Sequence, residues 1–486
     1  MRDPVSYQRH AVPHATALVD AGTDEEWTYA ELDRVVGRTA GRLWSLGLQP
    51  GDQLGVLADT SPEFVRIVHT AWRVGAVLVP FNTRLPEAEL REQVRRVDAT
   101  AILAEEGYAE RARAVADAPV EPLPALAEEP VAEFGAEDPP IDSPRAMLFT
   151  SGTTGEPKAV VLTGRNLLSS AVASAFRLGV LPDDRWYDPL AGYHMGGLAP
   201  IVRSALSGTR VVLPGGSGFD AGRALDDLHE HDATGVSVVP TMLDRLLDAG
   251  DPPDSLRFVL TGGAPTPPEL IARCGERGVP IHPTYGMTET ASQVATARPE
   301  EAYAEPERAG HPLAFTRVRA VDGDEPLGPG EPGELVVSGP TVMEGYYDDP
   351  ETNDRVFGPY GFRTGDLGVV EGDGSVRVIG RVDDAIITGG ENVHPAEIAR
   401  VLRDRSGVED CAVVGLSDPE WGERVCALVV GDVAEPALRE FLEGRLADYK
   451  RPKTIAFADE LPRTASGTVD RGAVRELLAE RSEPLE

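Results

Sequence analysis

Apolar positions alternate between two spacings along the first third of the chain. Thr28-Tyr29-Ala30-Glu31-Leu32 opens a segment whose apolar residues recur at helical spacing through Leu43-Trp44. Gln53-Leu54-Gly55-Val56-Leu57 is a short apolar run of strand type. Pro62 starts a second helix that continues through His69-Thr70-Ala71-Trp72, and Ala76-Val77-Leu78-Val79-Pro80 predicts the next strand. Strands alternating with helices imply βαβ units, largely parallel sheets and an α/β fold class. Pro119 to Pro144 is rich in Pro, Ala and Glu and predicts an acidic surface connection. No internal repeat interrupts the pattern. Gly372-Asp373-Gly374-Ser375 is a strong turn signal, and a second unit is expected from Gly380-Arg381 onward, a small α+β domain of about 105 residues. The expected domains are therefore 1–380 and 381–486.

Composition narrows the class. A chain of 486 residues with 41% apolar content supports more than one packed core. No run approaches the roughly 18 apolar residues of a membrane helix, and Met1-Arg2-Asp3-Pro4-Val5-Ser6-Tyr7 lacks the pattern of a secretory signal. Cys274, Cys411 and Cys426 have no CxxC spacing, which reads as inert thiols in a reducing, cytoplasmic setting. Lys and Arg number 46 against 80 Asp and Glu, a net charge of −34. Lys158, Lys450 and Lys453 are the only lysines. Such a surface repels nucleic acid and anionic lipid, so neither nucleic acid nor membrane is expected as a partner. It suits a salt-loaded, halophilic cytosol, where a Debye length of about 3 Å at 1 M salt screens carboxylate repulsion. A GC-rich genome that favours Arg over Lys is the plainer alternative. The oligomeric state is not legible.

Candidate chemistry begins after the apolar run Ala146-Met147-Leu148-Phe149. Thr150-Ser151-Gly152-Thr153-Thr154-Gly155-Glu156-Pro157-Lys158 follows, and then Ala159-Val160-Val161-Leu162. Glycines let backbone N–H groups approach an anion, hydroxyls donate hydrogen bonds, and Lys158 supplies a point charge, as a polyphosphate loop requires. A polar hairpin loop is the bland alternative, but Glu156 is the sole acid there and Lys158 is one of few lysines retained.

That string strongly resembles the phosphate loop of the adenylate-forming superfamily, which includes acyl-CoA synthetases, firefly-type luciferases and peptide-synthetase adenylation domains. Further motifs resemble the family in order along essentially the whole chain. Leu260-Thr261-Gly262-Gly263-Ala264-Pro265 is similar to the strand and turn that hold adenine. Thr284-Tyr285-Gly286-Met287-Thr288-Glu289-Thr290 resembles the segment that stacks on adenine, contacts the α-phosphate and presents a carboxylate to Mg2+. Arg363-Thr364-Gly365-Asp366-Leu367 resembles the ribose-binding motif, although its first residue varies among relatives. Gly380-Arg381-Val382-Asp383-Asp384-Ala385-Ile386-Ile387 resembles the hinge, with Asp383 as its pivot, and Gly389-Gly390-Glu391-Asn392-Val393 the segment lining the thiol tunnel. The resemblance implies a large N-terminal domain of stacked α/β subdomains with a distorted barrel, and a small mobile α+β C-terminal domain. It also implies ATP, Mg2+ and coenzyme A, with a small carboxylic acid as substrate.

The residue types suit these roles. Glu289 is the one acid of its segment and could hold Mg2+ against ATP oxygens. Thr288 offers a hydroxyl to phosphate, or else caps a helix. Tyr285 offers a flat face to a base, or else belongs to the core. Asp366 can accept ribose hydroxyls, although Gly-Asp by itself more often marks a turn. Arg381 could meet ribose or phosphate, its ordinary role being a surface salt bridge.

Pro189-Leu190-Ala191-Gly192-Tyr193-His194-Met195-Gly196-Gly197-Leu198 places one histidine among apolar and glycine residues, and the resemblance makes His194 a gate at the acyl site. Further along comes Arg203, on a mostly apolar helix, where a guanidinium is costly unless it meets an anion. It either pairs with a structural Asp or Glu or clamps a second carboxylate on the substrate. Its spacing from His194 resembles the 2-succinylbenzoate–CoA ligases of menaquinone synthesis. Medium-chain or aryl acid–CoA ligases are the alternative, and a carrier-loading adenylation domain is disfavoured because no carrier segment follows.

One motif departs from the family. Pro462-Arg463-Thr464-Ala465-Ser466-Gly467-Thr468 carries Thr468 where relatives have a catalytic lysine. Losing that charge should slow adenylation by roughly 10²–10³-fold unless an arginine or a bound cation substitutes. An adenylation-impaired pseudoenzyme is the reading from another class. Arg471 lies three residues on, and Lys450, in Tyr449-Lys450-Arg451-Pro452-Lys453, is expected to contact CoA.

Overall fold

The structure is a computed structural model that describes residues 3–123, 139–151, 157–216, 218–384, 386–388, 391–463 and 469–481. It divides into two compact units: residues 1–318, 337–362 and 373–376 form one, and 319–336, 363–372 and 377–486 the other.

Two sheets build the first unit. In the nine-stranded sheet the interior strands Ile281–Met287, Phe258–Thr261, Gly235–Val238, Arg185–Tyr187, Arg210–Leu213 and Thr16–Asp20 pair in parallel, in that order. Its margins turn antiparallel, with Ser292–Thr296 beside Ile281–Met287 and Glu25–Thr28 beside Thr16–Asp20. The seven-stranded sheet runs Gly345–Tyr346, Pro157–Thr163, Pro144–Ser151, Val77–Pro80, Gln53–Leu57, Ala101–Ala104, Val120–Pro122. Parallel interiors follow from the βαβ repeat; the antiparallel margins come from hairpins, which helical crossovers do not require.

The predicted helices form where the pattern placed them. Tyr29–Ser45 is opened by a reciprocal cap between Thr28 and Glu31. Pro62–Val74 starts on the Ser61 hydroxyl and stops at Gly75, whose φ of 83° a side chain would resist. Leu54 and Val56 of one sheet, Leu18 and Val211 of the other, and Ile67, Leu198 and Ile201 of intervening helices share one core. Arg73 crosses the base of this core and meets Asp3 at 2.8 Å and Asp33 at 2.7 Å, so a buried cation is fully paired.

The second unit contains the strands Arg317–Asp322, Pro332–Ser338, Gly361–Val370 and Val376–Arg381, neighbours in that order. It continues into a sheet ordered Glu391–Val393, Ile386–Thr388, Gly422–Val430, Asp410–Asp418, with Thr454–Phe457 parallel to Gly422–Val430. Pro395–Arg403 and Glu435–Leu442 cover one face through Ile398, Leu402, Leu438 and Leu442. Arg471–Arg481 covers the other through Val474 and Leu478. Cys274, Cys411 and Cys426 are free and buried. Burial pushes the Cys274 and Cys411 thiols up to about 12 and about 11, so neither is a nucleophile at neutral pH. Among the described residues no helix is long and apolar enough to cross a membrane.

Candidate active site

The loop that reads as a phosphate cradle is the turn of a hairpin. Pro144–Ser151 and Pro157–Thr163 pair antiparallel with Thr150 opposite Lys158. Gly152, Thr153, Thr154 and Gly155, along with the Ser151 side chain, lie outside the described residues. Lys158 keeps only 9% of its surface exposed and carries no carboxylate partner among the described residues. Its Nζ stands 5.4 Å from the centre of the Tyr346 ring. Tyr346 belongs to a two-residue strand paired to Val160 and Val161, and its hydroxyl donates to Glu289 Oε1 at 2.9 Å. One strand pairing thus brings a single phenol against both the phosphate-type lysine and the metal-type carboxylate. Glu289 is anchored again where its carbonyl accepts from the Met343 N–H at 2.8 Å. A lone carboxylate suits an Mg2+ ion that takes its other ligands from phosphate and water.

Glu289 sits in the short turn Thr288–Thr290, at which Met287 and not Thr288 holds the cap position. The chain reverses through Ala291 at φ 52° and Ser292 at φ 112°. Gly286 faces that reversal, and a Cβ there would lie 1.9 Å from the Ser292 carbonyl oxygen, so no side chain fits. Tyr285 is half-buried opposite Ala295, and Gly263, at φ 79°, turns the chain after Phe258–Thr261 toward Ala264.

The second unit carries the ribose-type motif. Asp366 lies within the strand Gly361–Val370, so the turn expected of a bare Gly-Asp does not form. Arg381 Nη1 donates to Asp366 Oδ1 at 3.0 Å and to the Thr364 carbonyl at 2.8 Å. Gly365 makes room for this: its φ is 69°, and a Cβ would come within 2.6 Å of Arg381 Nη2. Asp383 is 3.9 Å from the same guanidinium, and Asp384 forms an ion pair with Arg471, the first residue of the last helix. Lys450 Nζ is held by both oxygens of Glu397, at 2.8 and 2.7 Å. Gly389, Gly390 and Thr468 lie outside the described residues.

The acyl-site candidates converge on one helix of the first unit. His194 occupies the N-cap position of Met195–Ser207 without a side-chain cap bond, packs edge-on to Tyr193 at 4.7 Å and is exposed. The protein around it and the Arg84 charge hold its pKa below the usual value, so the ring is neutral at pH 7. Arg203, on the same helix, is 2% exposed. Among the described residues its Nε and Nη1 have no hydrogen-bond partner, and no carboxylate reaches it within salt-bridge distance. Its guanidinium instead lies 4.4 Å over Trp186, whose Nε1 donates to Ser237 Oγ at 3.2 Å and whose ring packs on Phe258 at 4.8 Å. Desolvation drops the Arg203 pKa to about 10, which still leaves it charged at pH 7. Among the described residues no structural ion pair, the alternative role weighed for it, forms. Tyr346 and Trp186 escaped the sequence reading; each touches a neighbour distant in sequence, and no local spacing signals it.

A phosphate-type hairpin, a tyrosine-held carboxylate and a buried acyl-site cation define an enzyme that handles a nucleotide together with an anionic second substrate. Residues 6–347 match the AMP-binding enzyme family and residues 397–468 its C-terminal domain, and the chain belongs to that family. The 2-succinylbenzoate–CoA ligase of Bacillus pumilus is 37% identical over 471 residues, covering 96% of each chain. A feruloyl-CoA synthase of Amycolatopsis is 38% identical over 477 residues, covering 95% of this chain and 96% of its own. Among solved structures, o-succinylbenzoate CoA synthetase from Bacillus subtilis in complex with the acyl-adenylate intermediate OSB-AMP superposes with a TM-score of 0.91 at 32% identity, covering 98% of both chains. The same synthetase in complex with ATP and magnesium ion gives 0.90 at 32% identity, covering 99% of both.

Proposed function

We propose that this chain is an ATP-dependent, AMP-forming acid–CoA ligase whose acid is 2-succinylbenzoate. The observation that carries the choice of acid is the buried, carboxylate-free guanidinium of Arg203. A monocarboxylic acid spends its one carboxylate on the α-phosphate and leaves that cation unmet; a dicarboxylic acid has a second to give. Lys158 and the hairpin loop receive the ATP phosphates, Thr288 the α-phosphate, and Tyr285 with Gly263 and Ala264 the adenine. Asp366 and Arg381 take the ribose. Glu289 is placed to hold Mg2+, which supplies charge neutralisation at the phosphates when bound. The acid carboxylate attacks the α-phosphorus, pyrophosphate leaves, and acyl-AMP forms beside His194. The unit from Arg381 onward then turns about Asp383, Gly389 and Gly390 line the thiol path, and the CoA thiolate displaces AMP. Lys450 enters CoA binding by exchanging Glu397 for a phosphate of the nucleotide. The −34 charge supports a salt-loaded cytoplasm as the working medium.

AMP release across an acid panel in molar salt tests the reading. A preference for 2-succinylbenzoate over benzoate and ferulate of at least about tenfold in kcat/KM is expected, a margin of one carboxylate contact. Ferulate as the best acid would overturn the choice of substrate, and no pyrophosphate exchange with any acid would overturn the ligase.

A further inference from the structure

The segment that brings Trp186 to Arg203 brings a second residue to the same place. Asp188 follows the strand Arg185–Tyr187 and is fully enclosed, with 0% of its surface exposed. Its backbone N–H is spent on the Val212 carbonyl at 2.9 Å, but neither carboxyl oxygen has a hydrogen-bond partner. The Leu190 N–H lies close to the carboxyl without closing a hydrogen bond, and Arg203 acts on it only through space. Burial therefore dominates and pushes the Asp188 pKa well above the usual carboxylate range. The other titratable neighbour is Tyr187, whose hydroxyl is committed to Asp227 Oδ2 at 2.9 Å.

Asp188 and Arg203 are thus buried groups of opposite type that sense one another and yet do not join. Nε and Nη1 on one and both oxygens on the other remain unsatisfied. Native interiors rarely leave such a set open without a purpose. A carboxylate between them would satisfy both, accepting the guanidinium N–H donors on one side and a carboxyl O–H on the other. We propose that Asp188 is a second specificity residue of the acyl site, sharing the distal carboxylate of the acid with Arg203 and donating its carboxyl O–H to it. The proposal rests on the reading that the acid is a dicarboxylate. While it is protonated, Asp188 keeps its proton as it donates the hydrogen bond, so the two carboxyl groups hold one proton between them beside one fixed cation, and no covalent step is involved.

The consequence is a KM that titrates while kcat does not. For the wild-type enzyme, KM for 2-succinylbenzoate should rise at least about tenfold from acid to alkaline pH, as Asp188 loses the proton it shares. KM for 4-oxo-4-phenylbutanoate, the same skeleton without the ring carboxylate, should stay level. Asp188→Asn keeps an N–H donor that cannot ionise, so its diacid KM should be flat across the range; Asp188→Ala should raise it at every pH. A flat wild-type KM for the diacid, which needs no variant to measure, would overturn the proposal, as would an Asp188→Asn enzyme that keeps the wild-type slope. Equal KM values for the diacid and the monoacid at every pH would instead overturn the dicarboxylate reading itself.

Discussion

Replacing Arg203 by Leu should move stability and activity in opposite directions. The side chain is 2% exposed, and two of its nitrogens are buried without partners. Its pKa falls from 12.5 to about 10, which at 1.36 kcal/mol per unit corresponds to about 3 kcal/mol of unfavourable burial of the charge. Leucine removes that cost and also the contact with the Trp186 face at 4.4 Å, worth about 1–2 kcal/mol when desolvated. The ligand-free protein should therefore melt at the same temperature or a few degrees higher. Binding should suffer in proportion to a buried charge pair losing one partner, about 2–5 kcal/mol, or roughly 30- to several-thousand-fold in kcat/KM for 2-succinylbenzoate. Thermal melting and AMP release in matched salt read the two effects independently. A diacid efficiency that drops less than about threefold would refute the argument. So would a protein whose melting temperature collapses, because that would make Arg203 a structural cation after all.

Three other outcomes follow from the geometry of the site and the core. Tyr346→Phe keeps the ring beside Lys158 but removes the 2.9 Å bond to Glu289, so the Mg2+ concentration needed for half-maximal pyrophosphate exchange should rise about tenfold; an unchanged midpoint would show that Glu289 is oriented by other contacts. Gly365→Ala forces a Cβ into a φ of 69° and against Arg381 at 2.6 Å, so it should cost about 1–2 kcal/mol and raise KM for ATP more than KM for the acid; equal effects on both would detach Arg381 from the ribose. His69 and His282 are buried, and each has its pKa held down to about 4 by desolvation. Between pH 6.5 and 4 the unfolded chain binds the protons that the native state refuses, so stability is complete above that window and fades through it, by up to about 3 kcal/mol per histidine. Urea unfolding at pH 4.5 and 7.5 measures this, and a slope untouched by His282→Gln would refute the assignment.

The parts of this molecule that were legible in the sequence are those that depend on neighbours along the chain. Gln53–Leu57 is a strand with the expected ends because five apolar-rich residues between turn signals have one sensible conformation. The hairpin that joins Pro144–Ser151 to Pro157–Thr163 was legible because glycines and hydroxyls between two apolar runs separate two strands. What stayed hidden depends on which strands lie side by side. Tyr346 meets Glu289 across 57 residues, and Lys450 meets Glu397 across 53. Periodicity reports which face of an element is apolar and is silent about what the other element brings to that face. Asp366 shows the same limit from another side: Gly-Asp reads locally as a turn, yet the strand passes through it because Gly365 absorbs the unusual φ and Arg381 closes over the gap. The Thr468 position, where the motif departs from its family, is a difference that only comparison could reveal, since nothing in a local pattern marks a missing charge.

How the cations are held divides those that stabilise this protein from those available to a ligand. In a chain of net charge −34 carboxylates outnumber cations, so pairing is the common outcome. Arg73 is paired with Asp3 and Asp33, Arg257 with Asp184, and Lys450 with Glu397, and in each case the charge is met inside the protein. Lys158 and Arg203 are the exceptions that matter. Both are at least nine-tenths buried, and both are steadied by an aromatic ring, Tyr346 or Trp186, instead of a carboxylate. A π face orients a cation and offsets part of its desolvation, but it does not neutralise it. A carboxylate would do all three and leave nothing for an incoming anion. Keeping two lysine- and arginine-type charges unneutralised in so acidic a protein requires that carboxylates be excluded from both pockets. Asp188 is the apparent violation at Arg203, and it is also the carboxyl group whose pKa burial pushes well above the usual carboxylate range. The acid nearest Arg203 is thus the one that burial makes least ready to neutralise it, which is what the proposed site for a second substrate carboxylate needs.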